Sequence, residues 1–140
     1  MLQLTTIRQD AEGVIAALAK RNLDARPAVE ALLALNEQRR HLQAETENQQ
    51  AEANRLAKAI GQLFREGKAG EAEALKAESA AIKERLTQLA ADLHALEEQE
   101  RAQLVALPNT PHASVPAGKS AEDNEVVRTW GSAPDLGEGH

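Results

Sequence analysis

The segment LLALNEQRRHLQAETENQQAEANRLAKAIGQL, residues 32 to 63, decides the fold of this chain. Its seam positions step alternately by three and four residues, which is the heptad spacing of a coiled coil. This spacing predicts one long helix with a single interacting stripe. The positions are Leu32, Leu35, Arg39, Leu42, Thr46, Gln49, Ala53, Leu56, Ile60 and Leu63.

A second series with the same spacing follows the first. Gly67 and Gly70 lie between the two series, and glycine is a strong helix breaker. We therefore expect the chain to reverse at about residues 66–71 and the two helices to pair antiparallel. The second series is Leu75, Ser79, Ile82, Leu86, Leu89, Leu93, Leu96, Glu100, Gln103 and Leu107.

Antiparallel pairing predicts which residues of the two series face each other. The numbers of facing residues then sum to about 138, so small residues meet large ones in several layers and Leu32 meets Leu107. Arg39 falls opposite Glu100. Arg39 is the one charged residue of the first series, and Glu100 is the one charged residue of the second. The register thus predicts an ion pair between Arg39 and Glu100 that fixes the alignment of the hairpin.

The N-terminal residues predict a short amphipathic helix. Asp10 suits a helix N-cap, and Asn22 suits the left-handed position that ends a helix. Pro27 fits the first turn of the next helix. The apolar face of this short helix is Val14, Ile15 and Leu18.

Helical periodicity stops at LPNTPHASVPAGKSAEDN, residues 107 to 124. Pro108, Pro111 and Pro116 exclude helix and favour extended backbone, so the chain is expected to cross the foot of the hairpin. The stretch EVVRTW, residues 125–130, suits a short strand but has no evident partner. The predicted fold is all-α: N-terminal helix and connector 1–26, antiparallel coiled-coil arm 27–107, Pro-rich crossover 108–131 and linker 132–140.

Composition narrows the class of protein. The chain has 140 residues with one Phe, one Trp and no Tyr, so a thick globular core is not expected. The absence of cysteine excludes thiol and disulfide chemistry and fits a reducing compartment. No apolar run is long enough for a membrane span. We therefore expect a cytoplasmic protein without a membrane partner.

No recognisable catalytic motif is present. The sequence lacks a phosphate loop, a dinucleotide fingerprint and a GxSxG elbow. Its histidines, His41, His94, His112 and His140, lie far apart and lack metal-ligand spacing. We predict no catalytic residue, metal or cofactor in this chain.

The net charge of −6 opposes a polyanionic partner, but the charge is unevenly distributed. Residues 53–88 hold seven basic and five acidic residues. Such cations either keep the surface solvated or contact nucleic-acid phosphates. The heptad positions put Lys76 and Lys83 on one flank of the seam and Arg55 and Arg85 on the other. The candidate RNA-binding residues are Arg55, Lys58, Arg65, Lys68, Lys76, Lys83 and Arg85.

Two motifs, with the hairpin, resemble the N-terminal domain of bacterial-type seryl-tRNA synthetases. EANRLAKAIG, residues 52–61, is similar to the pattern RN-x-x-S-K-x-IG, although Ala53 and Ala57 replace Arg and Ser. LPNTPHASVPAGKSAEDNEVVRTWG, residues 107–131, resembles the longer pattern PN-x-PH-x-SVP-x-G-K-x-x-x-DN-x-x-x-R-x-WG. The matching positions are Asn54, Lys58, Ile60 and Gly61, then Pro108, Asn109, Pro111, His112, Ser114, Val115, Pro116, Gly118, Lys119, Asp123, Asn124, Arg128, Trp130 and Gly131.

The resemblance implies an arm that recognises serine tRNA by the shape of its long variable arm and elbow. In that family a class II catalytic domain activates serine with ATP and Mg²⁺, and the arm works in trans within a homodimer. No class II motif occurs in this chain, so the active site would belong to a catalytic domain of the parent ligase. The alternative hypothesis is a structural or adaptor coiled coil without an RNA partner, which the acidic total favours.

Overall fold

The computed structural model describes residues 2–132, which form an all-α hairpin with a small N-terminal unit. No strand occurs within this range, and residues 125–130 form none. Helices α3 and α4 pack against each other along their lengths, as the heptads predicted. The last eight residues of the predicted linker lie outside the described range. The helices are α1 Leu4–Gln9, α2 Ala11–Ala19, α3 Arg26–Arg65 and α4 Ala69–Ala106, followed by a 3₁₀ turn, Ala121–Asp123.

The N-terminal unit contains two helices where the sequence predicted one. Asp10 separates them, and its carboxylate accepts a hydrogen bond of 2.8 Å from the amide of Gly13, as an N-cap does. The additional helix, α1, has only six residues. So short a helix shows less than two turns of periodicity, which is why spacing alone did not reveal it.

The reversal between α3 and α4 is tighter than predicted. Gly67 adopts the left-handed conformation, φ 74°, and the Lys68 amide bonds to the Leu63 carbonyl at 2.9 Å. This is the Schellman arrangement that closes helix C-termini. Gly70 lies within the first turn of α4 and does not interrupt that helix. The left-handed conformation of Gly67 is sufficient to reverse the chain.

The main apolar core lies at the base of the hairpin, where α1 and α2 cover the start of α3 and the end of α4. Leu104 packs against this core, whereas Gln103, placed on the seam by the heptads, is exposed. The heptads describe contacts with α3 only, but at the base α4 also meets the N-terminal unit. The buried core residues are Leu2, Ile7, Val14, Leu18, Ala25, Val29, Leu32 and Leu107.

Beyond the base, the seam between α3 and α4 is thin. Leu56 on α3 and Ala72 and Leu89 on α4 are buried there, and the other seam side chains are half-buried. A pair of helices covers only one stripe of each partner, so most of the distal surface faces solvent. The hairpin is therefore anchored at its base.

A shared carboxylate links the two long helices near the base. Glu100 Oε2 lies 3.2 Å from Arg39 Nε and accepts a 2.8 Å hydrogen bond from Asn36 Nδ2. The Arg39 and Glu100 side chains are 26% and 15% exposed, and Asn36 is 3% exposed. Arg39 and Glu100 thus meet as the register predicted. Asn36 was not predicted, although its three-residue separation from Arg39 puts both on one helix face.

A second ion pair ties α2 to α3. Arg26 donates two 2.7 Å hydrogen bonds to the carboxylate of Glu12 and lies 3.6 Å from Glu30. The hydrogen bonds from Arg26 hold the pKa of Glu12 below its usual range. Both side chains of the Glu12–Arg26 pair are well exposed, so its contribution to stability is small.

Reversal of one charge at the Glu100 site should destabilise the hairpin. We expect Arg39→Glu or Glu100→Arg to lower the free energy of unfolding by about 1–3 kcal/mol, because each leaves like charges in a partly buried seam. The double variant should recover most of the loss. Urea unfolding followed by helical circular dichroism measures all four proteins, and equal unfolding midpoints for the two single variants and the double variant would contradict the pairing.

Loss of the Glu12 carboxylate should make stability less dependent on acid pH. Because the pKa of Glu12 is lower in the folded chain, its pairing stabilises the fold above the unfolded pKa of about 4.3 and fades as pH falls through the lower folded value. Glu12→Gln should therefore melt below the parent at pH 7 and together with it at pH 2. A difference that persists at pH 2 would assign the loss to packing.

Candidate nucleic-acid interface

The seven predicted cations lie in the distal half of the hairpin. Arg55, Lys58 and Arg65 are on the last turns of α3, Lys68 caps α4, and the other three are on the first half of α4. They do not converge on one point. Instead the antiparallel register distributes them over two flanks, the outer surface and the tip.

One flank contains a groove of about 730 Å³ between α3 and α4, here called the groove flank. Lys76 and Lys83 lie along one wall, separated by two helical turns or about 10 Å. The groove lining contains no carboxylate, although the Lys76 ammonium lies 2.6 Å from Glu73 just outside it. The lining is Gln50, Ala53, Asn54, Ala57, Ile60, Lys76, Ser79, Ala80, Lys83 and Leu86.

The groove exists because small side chains replace large ones where the helices meet. Ala53, Ala57 and Ala80 leave space that leucine would fill, while the amides of Gln50 and Asn54 add polar groups to the rim. The sequence did not mark these neutral residues as site candidates, because only the charged residues formed a recognisable pattern. The alanine spacing in the sequence is the signal that indicates an open seam.

The opposite flank, here called the paired flank, holds its cations in ion pairs. The Arg55 guanidinium binds both carboxylate oxygens of Glu52, and Arg85 reaches across the hairpin to Glu45 at 2.6 Å. The hydrogen bonds from Arg55 lower the pKa of Glu52, and those to Glu52 raise the pKa of Arg55. A phosphate that approaches this flank would have to compete with carboxylates.

At the tip of the hairpin, the cations also contact neighbouring groups of the same chain. Lys68 lies 3.0 Å from Glu66, and Arg65 Nε donates to the carbonyl of Gly61 at 3.2 Å. Phe64, near the end of α3, is 45% exposed. The ammonium group of Lys76 lies 4.7 Å from the centre of its ring, a cation–π contact.

Two candidates are left with side chains that form no hydrogen bond or ion pair within residues 2–132. They are Lys58 on the outer surface and Lys83 on the groove flank. Lys76 is intermediate, because its partner Glu73 is an exposed neighbour three residues away on the same helix. Exposed ion pairs of this kind are weak, so another anion can displace Glu73 from Lys76.

Neither a metal-binding cluster nor a membrane-spanning helix occurs among the described residues. No three His, Cys, Asp or Glu side chains gather there in an arrangement that holds a metal ion. None of the described helices is both long and apolar enough to cross a membrane.

Comparison with known proteins gives one consistent result. The family described as the seryl-tRNA synthetase N-terminal domain matches residues 1–111. The chain is 41% identical over its whole length to a serine–tRNA ligase of Bordetella petrii, and 40% identical over 97% of its length to that of Novosphingobium aromaticivorans. It spans 30% and 32% of those relatives.

A solved structure has the same architecture. The chain matches seryl-tRNA synthetase from Pyrococcus horikoshii, crystallised with ATP, with a TM-score of 0.82 and 32% sequence identity. The match covers 94% of this chain and 29% of that one. The long hairpin and its N-terminal unit are thus a known arrangement in proteins about three times as long.

Proposed function

Because the chain belongs to the seryl-tRNA synthetase N-terminal domain family, we propose that its hairpin is the tRNA-binding arm of a serine–tRNA ligase. The arm binds tRNA for serine along the long variable arm and the elbow. It recognises shape through contacts with the ribose-phosphate backbone, which position an RNA without reading base sequence. Its role is to orient the tRNA and not to carry out chemistry.

The observation that carries this proposal is the groove flank. Lys83, unpaired within residues 2–132, and Lys76, whose partner Glu73 is exposed, line an open groove in a chain whose total charge is −6. A polyanion would meet repulsion over most of this surface and attraction here. We therefore propose that the RNA backbone lies on the groove flank, with Lys58 as an outer contact and the amides of Gln50 and Asn54 as neutral donors.

We assign the chemical reaction to a catalytic domain outside this chain. The relatives are named serine–tRNA ligases and are about three times as long, and the similar solved structure was crystallised with ATP. We propose that a class II domain of the same polypeptide uses ATP and Mg²⁺ to activate serine. We further propose that this domain dimerises, so that the arm of one subunit serves the active site of the other.

The second candidate function is a structural or adaptor coiled coil without an RNA partner. It is favoured by the ion pairs that occupy Arg55, Lys68, Lys76 and Arg85. These pairs leave few cations for phosphate. The two hypotheses differ in one measurable property, which is affinity for tRNA at low salt.

We expect the 140-residue chain to shift tRNA for serine in a native gel, with an affinity that falls as salt rises. Each phosphate contact should contribute about 0.7–0.9 to the slope of log K against log salt. A tRNA with its variable arm deleted should bind more weakly. Equal binding of both tRNAs would contradict shape recognition, and no binding at low salt would favour the adaptor function.

Lys83 and Arg55 form a matched pair that tests the flank. Both are exposed cations on the distal helices, but Lys83 is unpaired within residues 2–132 whereas Arg55 is bound to Glu52. Lys83→Gln should lower the salt slope by about one. Arg55→Gln should change it less, because both oxygens of Glu52 bind that guanidinium and a phosphate would have to displace them.

The opposite ranking of these two variants would place the RNA on the paired flank. As a wider control, charge reversal at Arg55, Lys58, Arg65, Lys76 and Lys83 together should lower affinity strongly. Helical circular dichroism of every variant should match the parent, since all five side chains lie outside the buried seam. If the fivefold variant binds as the parent does, the distal hairpin is not the RNA-binding surface.

A further inference from the structure

Three consecutive residues that follow α2 hold the Pro-rich segment by its backbone. We call Lys20, Arg21 and Asn22 the clamp. Arg21 donates a hydrogen bond of 2.9 Å from its guanidinium to the carbonyl of Asn109. The two ends of this contact lie 88 residues apart in the chain.

The other two clamp residues act further along the segment. The Lys20 ammonium lies 3.2 Å from the carbonyl of Ala113 and 3.4 Å from that of Val115. The Asn22 amide donates to the carbonyl of Gly118 at 2.6 Å. The clamp therefore contacts the segment at intervals from residue 109 to residue 118.

Asn22 combines a backbone role with a side-chain role. Its φ of 56° is left-handed, and the Leu23 amide bonds to the Leu18 carbonyl at 3.4 Å, which closes α2 in the Schellman manner. Glycine would meet this backbone requirement with less strain. Asparagine tolerates it and adds the amide that reaches Gly118.

Every acceptor of the clamp is a main-chain carbonyl, so the clamp depends on the path of the segment and not on its side chains. Pro108, Pro111 and Pro116 have no amide hydrogen, which limits hydrogen bonding within the segment. Within residues 109–118 the Val115 amide donates to the His112 carbonyl. The clamp supplies the hydrogen bonds that join this segment to the N-terminal unit.

The far end of the clamped segment is also held in shape. The Asp123 carboxylate accepts hydrogen bonds from the amides of Lys119, at 2.7 Å, and Ser120, at 3.0 Å. These bonds lower the pKa of Asp123. A Cβ placed on Gly118 would lie 2.6 Å from the Cβ of Asp123, so the turn fits closely against its glycine.

We propose that Lys20, Arg21 and Asn22 are positioning residues that hold residues 109–118 in one direction relative to the hairpin. The clamp fixes the direction in which the chain leaves the arm. Its use rests on the proposed function: a tRNA held on the distal groove can be presented accurately only if the arm points in a set direction. An error of about 1 Å in placing a substrate can cost about 100-fold in rate.

The direct test measures a distance between two spin labels. The chain has no cysteine, so introduced cysteines are the only thiols. One pair, Ala91→Cys on α4 with Ala117→Cys in the segment, reports the clamp. A second pair, Ala91→Cys with Ala51→Cys on α3, reports the hairpin alone.

The combined variant Lys20→Ala, Arg21→Ala, Asn22→Gly should broaden the distance distribution from 91 to 117 and leave that from 91 to 51 unchanged. Arg8→Ala, which removes a cation outside the clamp, should change neither. An unchanged distribution from 91 to 117 in the combined variant overturns the proposal. If the combined variant loses helical signal, the same distances are measured on Asn22→Gly alone. Glycine keeps the left-handed backbone at position 22 and removes only the side-chain amide.

A chimera tests the functional consequence. This chain would replace the matching N-terminal 30% of the Bordetella petrii serine–tRNA ligase. The clamp variants should lower kcat/KM for tRNA charging about tenfold or more and leave ATP-dependent serine activation unchanged. Equal charging by parent and variant chimeras overturns the positioning role.

Gel shifts with the 140-residue chain distinguish a failure of the positioning role of the clamp from a failure of the proposed tRNA-binding function. The clamp lies at the base, away from the groove flank, so clamp variants should bind tRNA as the parent does. If the parent chain does not bind tRNA, the proposed function fails, whereas the spin-label distances still decide whether the clamp holds the segment.

Discussion

The structure depends on the register between α3 and α4, and the carboxylate of Glu100 determines that register. Heptad repeats rich in alanine and leucine pack nearly as well after a slip of seven residues. A slip would separate Glu100 from Arg39 and from the buried Asn36. It would leave these polar groups without hydrogen-bond partners in a partly buried seam. The polar contact thus selects one alignment, and every distal side chain takes its place from it.

The apolar core and the proposed binding surface lie at opposite ends of the hairpin. The apolar core lies at the base, where four helices meet, and the distal seam contains small residues that pack weakly. The same alanines that thin the seam open the groove beside Lys76 and Lys83. On the other flank, carboxylates neutralise Arg55 and Arg85. The groove flank keeps Lys83 unpaired within residues 2–132, and in our proposal this flank is where a polyanion approaches an otherwise acidic chain.

The base also connects the beginning of the chain to its end. Glu12 and Arg26 join α2 to α3, and the clamp joins the end of α2 to the Pro-rich segment. A two-helix hairpin alone leaves the chain free to swing where it exits. In our proposal the clamp residues that follow α2 remove that freedom by binding main-chain carbonyls of the Pro-rich segment.

The sequence alone determined the all-α hairpin, the antiparallel pairing and the meeting of Arg39 with Glu100, because heptad spacing and register are local, additive properties. It also located the distal cations. Only the tertiary structure decided which of them are neutralised, that Asn36 is buried, that Leu104 replaces Gln103 at the base, and that the clamp grips the Pro-rich segment. The contacts of Arg85, Asn36 and the clamp join residues that lie 40 to 96 positions apart in the chain, so periodicity along one helix does not predict them. The ion pairs of Arg55, Lys68 and Lys76 are local, with partners two or three residues away, and depend on the side-chain conformations that the structure adopts.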